Sequence, residues 1–203
     1  MSPKRFAGSA HDGAPMTDRK QAILDAMLVL IAERGLDKAP MSLVARRSGA
    51  SAGVIYHHFA GGKDEMIQAL YRRTALAKRA ALLDGYSDTA SPRDTFLKLW
   101  RNAYVFFRDH PREMRFLDQY QHSRYCAPLA AAAALPDNPI IHRIQALSRP
   151  KKDGGLFKDL PPEALDGLSF GLAASLARSP IPHDKATLDA VAATVWEAIA
   201  APE

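Results

Sequence analysis

Cysteine is all but missing from this chain: Cys126 stands alone among 203 residues. That excludes an internal disulfide framework and suits a reducing compartment, so a cytoplasmic protein is expected. Long apolar runs are missing too. The longest, 26–32 and 127–135, fall far short of the roughly 18 to 20 residues that span a bilayer. No apolar run follows the basic pair Lys4 and Arg5, as it would in a secretory leader. A soluble protein with no membrane partner is the expectation. Catalytic signatures are equally scarce, with no Gly-x-Ser-x-Gly, phosphate loop or dinucleotide fingerprint. A di-iron helical bundle needs Glu followed three residues later by His on two helices. Here the residues three beyond Glu33, Glu65, Glu113, Glu163 and Glu197 are Leu36, Gln68, Phe116, Asp166 and Ala200. No catalysed reaction and no cofactor are therefore expected.

What is present is charge, unevenly placed. Residues 1–80 hold 13 Lys and Arg against 7 Asp and Glu, a net of +6; residues 81–203 hold 14 against 15, a net of −1. Such asymmetry points to a polyanion as partner of the first part, with an ordinary solvated face as the competing account of charge alone.

The order of elements comes from spacing and breakers. Residues 1–16 mix Gly, Pro, Ser, Ala and charge without period and read as a disordered arm. Thr17 and Asp18 can cap a first helix, whose Ile23, Leu24, Met27, Leu28, Leu30 and Ile31 fall three and four apart before Gly35 ends it. Pro40 suits the first turn of a short helix reaching Ser48, and Gly49 breaks it. A third runs from Ser51 to His58. A long fourth starts after Gly61 and Gly62, turns Met66, Ile67, Leu70 and Tyr71 inward, and ends near Leu83. A helix-turn-helix needs a small residue where the helices cross, Gly in the turn and apolar residues that lock the pair. Ala45, Gly49 and the pair Val44 and Ile55 supply these.

Residues 17–71, most plainly SLVARRSGASAGVIYHHFAGGKDEMIQAL, resemble the DNA-binding domain of the TetR family of transcriptional repressors. REMRFLDQYQHS and the later GGLFKDLPPEALDGLSFGL look like the regulatory half of some members. The resemblance implies an all-α protein: an N-terminal three-helix DNA-binding domain with a helix-turn-helix over 17–62, and a C-terminal helical ligand-binding and dimerisation domain over 63–203. It also implies that the third helix enters the major groove, that Tyr56 and Lys63 grip phosphates, and that the fourth helix links reader to pocket. Ser51, Ala52, Gly53 and Val54 put little bulk at the leading end of that third helix, and His57 can bond a base or phosphate. Lys63 adds its charge to a helix N-terminus already favourable to anions. Where the family often has threonines at the start of the second helix, this chain has Pro40 and Met41, and Ser42 is the hydroxyl left to take that contact. His57 and His58 are not read as a metal site, because adjacent helical residues point about 100° apart and the single cysteine is distant. Phe59 is expected in the core.

In the second half Phe96, Trp100, Tyr104 and Phe107 recur along one helix, and Phe116 and Tyr120 along the next, after a break at His110 and Pro111. Plain core is one account of them. The other is an aromatic wall with polar tips, Tyr104, Tyr120, Gln121 and His142, around a mostly apolar ligand. Beyond a Pro- and Gly-rich loop over 148–162 lie two more helices. The first carries Leu165, Leu168, Leu172 and Leu176 on one face and Gly167, Gly171 and Ser175 on another; the second carries Leu188, Val191, Val195 and Ile199. Small residues four apart allow close approach, so this pair is expected to form a homodimer interface, with an intrachain contact as the alternative. The sequence thus reads as a dimeric regulator released from a palindromic double-stranded DNA operator by a small molecule. A nucleoid-type protein without ligand response, or a helical-bundle enzyme, is the rival.

Overall fold

The computed structural model describes residues 16–126 and 136–202. The expected arm lies outside them except for Met16, as does the apolar run 127–135. The described chain is helical, its only β pairing being the isolated bridges of Phe157 with Pro150 and with Ala200. None of its helices is long and apolar enough to cross a membrane. It divides into two compact units, Met1–Leu70 and Tyr71–Glu203.

The first unit holds α1 (Met16–Arg34), α2 (Met41–Ser48), α3 (Ala52–His58) and the opening turns of α4 (Gly62–Leu82). Ile23, Met27 and Ile31 recur by fours along α1 and are fully buried, as are Val44, Phe59, Met66, Ile67 and Leu70, with Ile55 nearly so. Each such side chain contributes roughly 1.5–3 kcal/mol on leaving water, which lets two helices of eight and seven residues hold a fixed angle although neither would persist alone. Gly49 ends α2 with φ of 69°, a left-handed conformation that sends the chain round into α3. Pro40 sits one residue ahead of the expected first turn: its backbone is extended, and its carbonyl accepts from the Leu43 and Val44 amides at 3.0 and 3.3 Å. Ser51 likewise caps α3 rather than joining it, its hydroxyl accepting from the Val54 amide at 3.3 Å.

In the second unit, α5 (Pro92–Asp109) starts on a capping Ser91 and α6 (Pro111–Gln121) begins after His110. Then come α7 (Pro139–Leu147), capped by Asn138, a 3₁₀ turn at Lys151–Asp153, α8 (Pro162–Asp166), a π turn at Gly167–Gly171, α9 (Leu172–Ala177) and α10 (Lys185–Ile199). The aromatic stripe of α5 packs into a core with α9 and α10: Phe96, Trp100 and Tyr104 meet Ala173, Leu188, Ala192, Val195 and Ile199. Leu188, Val195 and Ile199, read from sequence as a dimer seam, therefore bury within their own chain. Phe107 joins a second cluster with Ala103, Phe106, Met114 and Ala174.

The segment 148–161 is tied down by backbone bonds rather than left as a loop. Phe157 donates to Arg149 at 3.1 Å, Lys151 to Phe157 at 2.8 Å, Lys158 to Ile199 at 2.8 Å and Ala201 to Leu156 at 2.8 Å. The small-residue stripe also departs from expectation. The π turn breaks the four-residue repeat, and a Cβ at Gly171 would stand 3.0 Å from the Asp166 carbonyl, so that glycine is accounted for by its own helix.

Candidate functional site

Two features of different character stand out, one in each unit. On the first, Ser42, Ser51, Ala52, Gly53, Tyr56 and His57 are exposed, and Val54 is half-buried. Tyr56 is 55% exposed, a large aromatic that local packing leaves in solvent. The helix beneath is anchored by Ile55 and by Phe59, whose ring lies under the Lys20 ammonium at 5.3 Å. His58 is half-buried and its ring meets Phe59 at 6.4 Å, so the two histidines divide between surface and support. No group of three or more His, Cys, Asp or Glu able to hold a metal occurs among the described residues.

Lys63 stands differently from the expectation. Its ammonium donates to the carbonyl of Leu36 at 2.8 Å and to that of Asp37 at 3.4 Å, closing the end of the α1 turn against the start of α4. Glu65 reaches back to the Gly61 amide at 2.8 Å. Such contacts satisfy backbone groups that helix ends leave open. The sequence reading passed over Arg46, an exposed cation in the last turn of α2; its signal was position on the helix-turn-helix, not charge count. Arg47 beside it pairs with Glu33 at 3.0 Å.

The second feature is a cavity of about 840 Å³ in the second unit. Tyr71, Ala75, Lys78, Arg79, Leu82 and Leu83 of α4 and its end face Leu99 of α5, Leu117, Tyr120 and Gln121 of α6, Ile141, His142 and Ile144 of α7, and Phe170. A smaller space of about 300 Å³ shares Leu99, Ile144 and Phe170 with it. Of the six residues expected to hold a ligand, Tyr120 and His142 belong to the larger wall. Trp100, Tyr104, Phe107 and Phe116 do not; they are core. The α5 stripe turns toward α9 and α10, where the Trp100 indole donates to the Ser169 carbonyl at 3.0 Å, and Phe116 is fully buried. A stripe of aromatics shows which side of a helix is covered, not whether helix or ligand covers it.

The chemistry of the wall is mixed. Tyr71 stacks on Tyr120 with ring centroids 4.2 Å apart and planes 14° from parallel, and the Tyr120 hydroxyl donates to the Tyr125 carbonyl at 3.2 Å. Burial, followed by the neighbouring Tyr71 and Cys126, pushes the Tyr120 hydroxyl up to about 12. Arg79 donates to the Pro136 carbonyl at 2.9 Å. His142 bonds the Asp137 carboxylate, which holds that acid below its ordinary range. Burial lowers the Lys78 pKa, opposed by Asp166 and then Asp118, and its ammonium lies 5.0 Å from the centre of the Phe107 ring.

Known proteins resemble this arrangement along nearly the whole described chain. Residues 23–70 match the bacterial regulatory proteins of the tetR family, and residues 93–200 match the tetracyclin repressor-like C-terminal domain. An uncharacterized HTH-type transcriptional regulator of Haemophilus influenzae is 28% identical over 105 residues, 52% of this chain and 56% of that protein. The HTH-type transcriptional regulator BetI 1 of Chromohalobacter salexigens is 29% identical over 129 residues, 53% of this chain and 63% of that one. The chain thus spans less than two thirds of the length of these curated relatives. Among solved structures, a TetR-family regulator from Haemophilus influenzae superimposes with a TM-score of 0.71 at 24% identity, covering 91% of this chain and 98% of its own. One from Marinobacter aquaeolei gives 0.72 at 18%, covering 91% and 96%. Both support the fold alone. With a helix-turn-helix in its first unit and a C-terminal match that by itself covers more than half of its residues, the chain belongs to the TetR family of DNA-binding transcriptional regulators.

Proposed function

We propose that the protein is a homodimeric repressor that leaves a palindromic operator when a small, mostly apolar molecule fills the cavity of its second unit. The observation that carries this reading is the cavity of about 840 Å³ built on the second half of α4, the helix whose first half closes the core of the helix-turn-helix unit. That volume suits a drug-sized molecule. A ligand acts only through unequal affinity for the DNA-competent and incompetent arrangements, and a helix shared by both units is a route for it.

On DNA, Ser51, Ala52 and Gly53 lead α3 into the major groove, with Val54 behind them and His57 bonding a base or phosphate. Tyr56, Ser42 and Arg46 meet phosphates. Lys63 reaches a phosphate only by leaving the Leu36 and Asp37 carbonyls, so its first task is to position α4. Within the effector domain Tyr120 and His142 line the site directly; Trp100, Tyr104, Phe107 and Phe116 support it from the core. The dimer forms through the exposed face of the last helices, Gly167, Leu168 and Ser175 with Ala190, Thr194 and Ala198.

The test is selection of duplexes from a random pool, then release of the selected operator on titration with compounds that raise the thermal midpoint. A pseudo-palindrome with half-sites roughly 34–36 Å apart, or a multiple of it, is expected. Equal affinity for random and selected duplexes at physiological salt would overturn operator recognition in favour of a nucleoid role. Stabilising compounds that never release the operator would overturn induction.

A further inference from the structure

The effector cavity is mostly apolar, yet α4 sets two cations on its wall, Lys78 and Arg79, against one carboxylate, Asp137. The carboxylate is engaged by His142 and stands at the exposed side. Arg79 already has one acceptor, the Pro136 carbonyl. Lys78 is the unfinished group: among the described residues it has no hydrogen bond and no carboxylate within 4.0 Å, only the face of Phe107. Asp118, which acts on it from farther away, is paired with Arg178 at 3.3 Å, and Asp166 also acts from beyond ion-pair reach. Lys78 is half-buried on the wall, so its ammonium keeps only part of its hydration and has no acceptor among the described residues. That is costly, and a ligand carboxylate supplies acceptor and counter-charge together. A cationic ligand would meet the same two charges as repulsion.

We propose that the effector is an apolar molecule carrying one carboxylate, with the carboxylate held at Lys78 and the apolar body lying along Leu82, Leu99, Ile141, Ile144 and Phe170. This deepens the proposed effector site and rests on it. The burial that weakens the hold of Lys78 on its proton agrees, since a carboxylate beside it would act in the opposite direction.

The experiment uses decanoate, decanol and decyltrimethylammonium as matched probes, read by calorimetry on the full-length protein and on Lys78→Met and Lys78→Arg, with operator affinity measured alongside. Decanoate is expected to bind at least about tenfold more tightly than decanol, a preference that Lys78→Met abolishes and Lys78→Arg retains, because a hydrogen bond to a charged group contributes about that factor or more. Decanol affinity should be unchanged in Lys78→Met, which also shows that the variant is folded. Decanol or the ammonium binding as tightly as decanoate, or Lys78→Met leaving decanoate unchanged, overturns the proposal. So does failure of all three to bind. If the neutral or cationic probe releases the operator, induction through the cavity stands and only the anionic class falls. If decanoate binds as expected but leaves operator affinity untouched, the anion site stands and the effector reading falls.

Discussion

At the scale of single residues the structure separates side chains that hold a shape from those that meet a partner. Gly49 belongs to the first kind. Its φ is 69°, and a Cβ there would touch nothing within 4 Å, so the penalty for alanine is backbone strain alone. Gly49→Ala should destabilise the protein by about 1 kcal/mol in urea titrations, and Gly49→Asn by less, since asparagine tolerates the left-handed region. An equal loss for both would point to side-chain crowding instead. Trp100 is also structural: Trp100→Phe removes the indole's bond to the Ser169 carbonyl, which still accepts from the Leu172 amide, and should cost about 0.5–1.5 kcal/mol in the same titrations. Tyr120 can be tracked optically. Its folded pKa is raised to about 12, so the stability it contributes is fully present below the ordinary tyrosine value near 10 and is lost as pH climbs through the folded value. Tyrosinate absorbance should show a late-titrating fraction that disappears in Tyr120→Phe; its persistence would assign it elsewhere.

At the scale of elements the sharpest contrast is between neighbours Gly154 and Gly155. A Cβ on Gly154 meets open space, whereas on Gly155 it would fall 2.0 Å from the Arg149 carbonyl oxygen. Gly154→Ala, at φ 78°, should cost about 1 kcal/mol. Gly155→Ala must displace backbone, and hydrogen exchange at the Lys158 and Ala201 amides, which bond Ile199 and Leu156, should accelerate strongly only in that variant. This tie was not legible in the sequence, where Pro, Gly and charge read as an open loop; its bonds run to the distant end of α10, and local propensity carries no record of such pairing. The helix-turn-helix was legible because its signals are short-range: Gly49 for the turn, and Val44 and Ile55 for the seam. The cavity was half legible. Tyr120 and His142 were read from polar tips among apolar residues, while Lys78 and Arg79 went unnoticed because, on a helix, an inward charge and a solvated one have the same sequence.

For the whole molecule the predictions concern assembly and linkage. Leu168 is 44% exposed beside Gly167, and Ala190 is exposed on α10. If this face joins two copies, Ala190→Arg should leave the fold intact by circular dichroism yet yield monomers in light scattering at low micromolar concentration, and operator binding should fall with them. A dimer that persists places the interface elsewhere. On DNA, Arg46→Ala should flatten the dependence of log affinity on log salt by about one phosphate's worth, while Lys63→Met should leave that slope alone and lower thermal stability. An altered slope for Lys63→Met returns it to the phosphate contacts. Linkage adds a constraint independent of route: the factor by which an effector weakens operator binding must equal the factor by which operator weakens the effector. Calorimetry on free and DNA-bound protein measures both.

The π turn at Gly167–Gly171 carries a consequence for descent. Such a turn holds one residue more than an α-helix needs between the same ends, so a lineage could gain or lose that residue without unwinding α9. Ala173 and Ala174 would keep their places in the core whichever form a relative inherited. A single-residue gap should therefore recur at this point when relatives of the chain are aligned.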